Sequence, residues 1–251
     1  MYHHKPAAPA NDFIFGIRAI AEAIQAGKEI DKVLFRKGLA GDLFKELQEL
    51  IREHNIPAQQ VPEEKLNRIT RKNHQGVVAF LSPIVYQSIE QIVPTLFEQG
   101  RIPFILILDS LTDVRNIGAI ARTAECAGVD AIIVPDKGSA QINADAVKTS
   151  AGALHHIPVC RVKSLFHTVK FLQESGLRIF AASEKADQIY YQHDYTVPLV
   201  LVMGSEDTGI SPELIRSSDF LVRIPILGNI QSLNVSAATS VLVYEVIRQR
   251  A

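Results

Sequence analysis

Residues 104–128 read FILILDSLTDVRNIGAIARTAECAG, and this stretch decides the fold. An unbroken apolar run, FILIL, ends in the polar pair Asp109-Ser110, and a helical segment, IGAIARTAECAG, follows and closes at a glycine. A strand that is apolar without alternation is one buried on both faces. The same unit recurs downstream. AIIVP (131–135), RIFAAS (178–183), LVLVMGS (199–205) and FLVRIPI (220–226) are further short apolar runs. Helical segments lie among them: NADAVKTSAGAL (143–154), SLFHTVKFLQESG (164–176) and ISPELIRSS (210–218), with a last helix over about 234–250. This alternation predicts an α/β domain with a parallel sheet covered by helices on both faces.

Upstream the pattern is looser. FGIRAIAEAIQAG (15–27) reads as a helix with Ile17, Ile20 and Ile24 on one face, and LFKELQELIREHN (43–55) as a second with Leu43, Leu47, Leu50 and Ile51 inward. KVLFRK, IPAQQV and QGVVAFLS read as strands and EEKLNRIT as a short helix. Residues 12–83 are therefore expected to form a small, independent α/β domain. Residues 84–103, with Pro94, Gly100 and Pro103 and a short helix at SIEQIVPTLFEQ, are expected to join it to a domain spanning 104–251.

With 47% apolar and 21% charged residues the chain is an ordinary globular protein. No run approaches the roughly 18 apolar residues of a membrane span. The leading MYHHKPAAPAND lacks the basic and apolar segments of a secretory signal. Cys126 and Cys160 read as two buried thiols of a reducing compartment. No histidines stand at ligand spacing, so no metal site and a cytoplasmic location are expected. A formal net charge of −1 argues against a nucleic-acid partner. Against that stands a basic cluster of Arg68, Arg71, Lys72 and His74, which reads equally as an RNA contact or a solvated charge run.

Three polar segments fall at the ends of predicted strands, where open α/β sheets build ligand sites. Asn116 and Arg122 open the helix after the first strand of the domain; alone they read as a cap and a solvated residue. Gly204–Gly209, GSEDTG, follows the LVLVM run, and its glycines permit a tight turn close to a ligand. It is not the Gly-x-Gly-x-x-Gly of a dinucleotide site. Ser232, Asn234 and Ser236, in SLNVS, precede the last helix and are good caps.

Taken in order, Asn-x5-Arg, Gly-x-Glu-x-x-Gly and Ser-Leu-Asn-Val-Ser resemble the SpoU (TrmH-like) RNA ribose 2′-O-methyltransferases. FGIRAIAEAI, NHQGVVA and DAIIVPDKGSAQINADAVKTSAGA are similar to the branch that methylates a guanosine of 23S rRNA and carries an added RNA-binding domain. The resemblance implies a C-terminal trefoil knot, S-adenosyl-L-methionine as methyl donor, an RNA (most specifically rRNA) substrate and a homodimer paired through the C-terminal domain. It also implies that Gly204, Ile224 and Leu233 bind the donor through their backbones, and that Glu206 orients Asn116. Arg122, Ser232 and Asn234 would act at the reacting ribose. Arg115 stands where relatives often carry His or Tyr and is expected, with Arg68, Arg71 and Lys72, to meet RNA. A tRNA ribose methyltransferase and a non-catalytic ribosome-assembly factor are the alternatives. The final helix supplies the motive for a dimer: Val241, Leu242, Val243, Val246 and Ile247 spread apolar surface over more than one face.

Overall fold

The computed structural model describes residues 13–230 and 232–251. They form two compact units that part between Pro83 and Ile84.

The first unit comprises β1 (Phe13–Phe15), α1 (Ile17–Gln25), β2 (Ile30–Arg36), α2 (Asp42–Glu53), β3 (Ala58–Val61), α3 (Glu63–Ile69) and β4 (Val77–Leu81). The sheet runs β1-β4-β2-β3, with only β2 and β3 parallel. One face is sealed by α1 and α2, whose Ile20, Ile24, Phe44, Leu47 and Ile51 pack on Val33, Val77 and Ala79. On the other face Leu66 of α3 packs with Leu34, Val61 and Val78, and Phe13, Phe15 and Phe80 lie partly buried beside them. Strand β1 departs from the sequence reading, which began the helix at Phe15. Gly16, at φ +91°, turns the chain between strand and helix, and Gln75 Oε1 accepts the free Ile17 N–H at 3.1 Å.

His74 also departs from expectation. It is buried, accepts from Gly76 N at Nδ1 (3.0 Å) and meets Asn67 Oδ1 through Nε2 (3.0 Å). That pairing engages both ring nitrogens, so the ring holds the turn before β4 and is not presented on the surface. Arg68, Arg71 and Lys72 are exposed.

The second unit comprises α4 (Ile89–Glu98), β5 (Phe104–Asp109), α5 (Val114–Cys126), β6 (Ala131–Pro135), α6 (Ala144–Thr149), β7 (Val159–Val162), α7 (Leu165–Glu174), β8 (Arg178–Ala182), β9 (Leu199–Gly204), α8 (Pro212–Ser217), β10 (Phe220–Val222) and α9 (Val235–Arg250). All strand pairs are parallel, in the order β10-β8-β9-β5-β6-β7. Alternate residues of the strands feed two cores. Leu106, Leu108, Leu199 and Leu201 pack with Ile117 and Ile120 of α5 and Leu242, Val243 and Val246 of α9. Ile105, Ile107, Val200 and Val202 pack with α7, α8 and α4. Residues 84–103 are therefore more than a joining segment: Ile89 and Val93 of α4 belong to the second unit's core. The helix expected over 143–154 stops at Thr149, where Ala151 (φ +50°) and Gly152 (φ +90°) turn the backbone left-handed.

The last helix is pinned at its end. The Arg250 guanidinium donates to the carbonyls of Ile102, Pro103, Tyr195 and Val197. Nearby, buried Asp130 accepts from Phe104 N at 2.8 Å and pairs with Arg101, while desolvation pushes its carboxyl above the usual range.

Candidate functional site

The strand order places a switch point at β5 and β9. From β5 the chain winds to β6 and β7 on one side, and β8, β9 and β10 fill the other. Crevices at the carboxyl ends of such strands are where α/β sheets take ligands. Here the end of β5 is tied to the loop after β9. Buried Asp109 accepts from Ser211 N at 2.7 Å and, on its other oxygen, from Ser110 Oγ at 2.9 Å.

Between these anchors, Ser205–Gly209 folds into a closed turn. Ser205 and Gly209 exchange backbone hydrogen bonds of 3.2 and 3.0 Å, and Ser205 Oγ accepts from Thr208 N at 3.1 Å. The turn lies directly on Gly204. A Cβ there would meet Gly209 C at 2.2 Å, Ile210 N at 2.3 Å and Gly209 O at 2.4 Å. Only glycine fits, for want of space and not for its φ.

The turn projects Glu206 toward two helices. One oxygen, Oε1, accepts from Asn116 Nδ2 (3.1 Å), Asn234 Nδ2 (2.6 Å) and Val235 N (3.2 Å). Asn234 Nδ2 also lies 3.0 Å from Asn116 Oδ1. Asn116 is free for this because Asp113, not Asn116, caps α5, accepting from Arg115 N at 2.8 Å. Asn234 serves twice: its Oδ1 caps α9 through Ser236 N and Ala237 N while its amide nitrogen faces Glu206. One oxygen thus gathers three donors from two helices.

Beside this cluster opens a cavity of about 640 Å³ lined by Met203, Gly204, Glu206, Ile224, Ser232 and Leu233, among others. Gly204, Ile224 and Leu233, predicted as backbone contacts, thus border one space. Its far wall, Ser183–Lys185 after β8 and Arg223 after β10, was not singled out from the sequence. Asp109 was missed too. The available signal was the same in each case, a polar residue ending an apolar strand.

Arg122 is not part of the cluster. It lies six residues past Asn116, 120° away around a 100°-per-residue helix. It is exposed and makes no hydrogen bond or ion pair among the described residues. Arg115, Arg122 and Cys126 fall on one outward stripe of α5, at spacings of seven and four. Arg115 pairs with Asp113 at 3.5 Å. Cys126 is therefore exposed, contrary to the sequence reading, whereas Cys160 is buried and its thiol is pushed up to about 12, chiefly by desolvation and then by Glu90. Ser232 is exposed and has no hydrogen bond to the described residues. Ser236 lies inside α9, where its hydroxyl and its backbone N–H both donate to Oδ1 of the capping Asn234, so it is not itself the cap. One further link joins the helices: Thr123 Oγ1, next to Arg122, lies 3.1 Å from Ser240 Oγ of α9.

The profile of the SpoU rRNA Methylase family matches residues 103–244, and that of the RNA 2′-O ribose methyltransferase substrate-binding domain matches residues 13–87. A Staphylococcus saprophyticus protein assigned to the TrmH family of tRNA/rRNA methyltransferases is 36% identical over 237 residues, covering 94% of this chain and 95% of the relative. Among solved structures, the SpoU methyltransferase AviRb of Streptomyces viridochromogenes, in complex with AdoMet, is similar with a TM-score of 0.60 and 26% identity. The match covers 95% of this chain and 90% of AviRb. An AdoMet-bound rRNA methyltransferase of Sinorhizobium meliloti is similar at a TM-score of 0.61 and 25% identity, over 95% of this chain and 87% of that one.

Proposed function

Because the chain belongs to the SpoU methylase family, we propose that it transfers a methyl group from S-adenosyl-L-methionine to a ribose 2′-hydroxyl of RNA, a guanosine of 23S rRNA in particular, in the cytoplasm. The observation that carries the proposal is the meeting of Asn116, Glu206 and Asn234 on one carboxylate oxygen at the edge of the Gly204 cavity. The substrate-binding profile over residues 13–87 supports the ribose as target. Similarity to an rRNA enzyme over 95% of this chain supports rRNA over tRNA.

The residues present fit the donor. The cavity has the size of a small-molecule site, and its Gly204 wall is bare backbone that no side chain could replace. Gly204, Ile224 and Leu233 would hold the donor through main-chain groups, with Met203 and Ile224 supplying apolar contact. The donor brings an activated methyl on a sulfonium, so the protein's task is alignment, which contributes on the order of 7–11 kcal/mol in favourable cases. Glu206 locks Asn116 and Asn234 against each other, and the two amides then orient the ribose. Arg122 acts by charge. Its guanidinium stays protonated, so it stabilises the oxygen as its proton passes to solvent, and it anchors phosphate with Arg115.

The chain is further read as a homodimer paired through its second unit, with the C-terminal trefoil knot that the resemblance implies. Leu242, Val243 and Val246 are spent on the chain's own core. The support comes instead from the exposed apolar side chains of Leu227 (98% exposed), Ile230 (78%) and Tyr244 (52%) in the C-terminal part of the second unit. Arg122 points away from its own cluster, which suits a role at the partner's site.

Incubation with labelled donor and, separately, bulk rRNA and tRNA, followed by nucleoside mapping, tests the reaction. Label in a 2′-O-methylguanosine of 23S rRNA is expected; label on a base removes the ribose assignment, and no transfer to either RNA removes the enzyme. Mixed dimers of Arg122→Ala and Asn234→Ala subunits should regain activity, since one site then has both residues. No recovery, or a fully active monomer by light scattering, ends the shared-site reading.

A further inference from the structure

Resting on the reading of the chain as an RNA methyltransferase, we propose that the α3-side face of the first unit's sheet is a stacking platform for unpaired RNA bases. Phe13, Phe15 and Phe80 are the base contacts, and Lys32, Lys65 and Lys72 are the phosphate contacts.

The two faces of this sheet are treated differently by the sequence. The α1–α2 face buries a continuous apolar cluster, with Phe44 only 3% exposed. On the opposite face α3 contributes Leu66 and Ile69, and the aromatic residues of β1 and β4 remain only partly buried. The register aligns them. Phe13 stands opposite Phe80, and Phe80 opposite Lys32, so two rings and a cation form a row across β1, β4 and β2. Phe15 lies one pleat further along β1, opposite Val78. Ring centroids are 6.3 Å apart for Phe13–Phe80 and 6.4 Å for Phe13–Phe15. Three adjoining rings on this face are left only partly buried. They are well suited to bases, every one of which offers a π-face.

The charges around the row have the sign a nucleic acid requires. Lys72 Nζ lies 6.0 Å from the Phe15 centroid. Lys32 is partly buried in the row and is held below its usual range by desolvation and then by Lys65, whose like charge faces it; Asp31 opposes the shift. Neither Lys32 nor Lys65 has an ion pair among the described residues, and the nearby carboxylate of Glu63 is taken by Arg36 at 3.3 Å. Two cations set against each other beside an aromatic row gain stability when a phosphate comes between them. Neutral bases flanked by phosphates complement this surface; an apolar protein partner would desolvate Lys32 and Lys65 further while adding no counter-charge.

The test uses the full chain with a fluorescent single-stranded oligoribonucleotide of mixed sequence, about 12 nucleotides long, and the matching RNA duplex. The single strand should bind more tightly, and 2-aminopurine in it should be quenched. Phe13→Leu, Phe15→Leu and Phe80→Leu keep the apolar volume and lose the ring; each should weaken single-strand binding at least about fivefold with the melting temperature held. Phe80→Tyr should restore it. Lys32→Gln with Lys72→Gln should lower the salt dependence, and donor affinity should stay constant in every variant. Binding by the Leu variants equal to wild type, or duplex preferred over single strand, overturns the platform while wild-type methyl transfer leaves the enzymatic reading standing. A wild-type protein that neither binds RNA nor transfers methyl overturns both. Concentration-dependent dimerisation lost in the Leu variants, without change in RNA affinity, would give the face to a second copy instead.

Discussion

Gly204→Ala should cost the protein its donor before it costs it the fold. The added methyl would sit 2.2–2.4 Å from three backbone atoms of Gly209 and Ile210, where an ordinary contact needs 3.4 Å or more. The turn must therefore move by about 1 Å, and backbone cannot rotate out of the way as a side chain can. That turn is held by the paired Ser205–Gly209 hydrogen bonds and by the Asp109–Ser211 anchor, so displacement strains all of them. Overpacking of this kind costs about 1–3 kcal/mol, or very roughly 2–10 °C in a unit of this size. The functional effect should be larger. Glu206 rides on the moving turn, and a misplacement of about 1 Å at a reacting centre is worth on the order of 100-fold in rate. Donor affinity by calorimetry and melting by circular dichroism, on one preparation, make the comparison. Gly228→Ala is the control, since a Cβ there meets nothing within 4 Å and no left-handed φ is involved. Donor affinity and melting temperature both at wild-type values in Gly204→Ala would show that the turn yields freely and that the steric reasoning is wrong.

Four further outcomes are expected. Arg122→Ala should lower single-turnover methyl transfer by about 100-fold or more at nearly unchanged donor affinity, and Arg122→Lys should be poor as well; near-normal transfer in the alanine variant removes the role. Glu206→Gln places an amide among three donors that need an acceptor, so transfer should fall about tenfold or more while melting changes little; full activity would mean the hub only decorates the site. Replacing Arg68, Arg71 and Lys72 together by Ala should weaken RNA binding and flatten its logarithmic salt slope by up to about 2–3, and an unchanged slope makes them ordinary surface. Iodoacetamide at pH 8 should alkylate Cys126 alone in the native protein, because Cys160 is buried with its thiol pushed up to about 12; two adducts before denaturation, counted by mass spectrometry, would contradict that.

Where burial is two-sided, the fold was legible. FILIL, AIIVP and LVLVM announce central parallel strands because nothing in them faces water. Shorter edge elements escaped. Val159–Val162 reads VCRV, four residues with an arginine, at the outer edge beside β6 alone among the strands. Phe13–Phe15 is three residues long, and its last residue reads as the start of the helix that follows, since no periodicity can show Gly16 at φ +91°. The site was legible as residue types and not as geometry. Asn116 and Asn234 are 118 residues apart, and their meeting on Glu206 depends on strand order, which only a family likeness could anticipate. The stripe of α5 that exposes Cys126 with Arg122 was within reach of simple helical spacing, and the expectation that an apolar neighbourhood buries a thiol overrode it.

The Glu206 junction also carries information about time. Its donors come from α5, near the middle of the chain, and from Asn234 and Val235, at the start of the final helix. In chain order the third motif is the last of the three. The junction is complete only when α9 is docked, the same helix whose Arg250 takes four carbonyls. The proposed site is thereby incomplete until the final helix is in place.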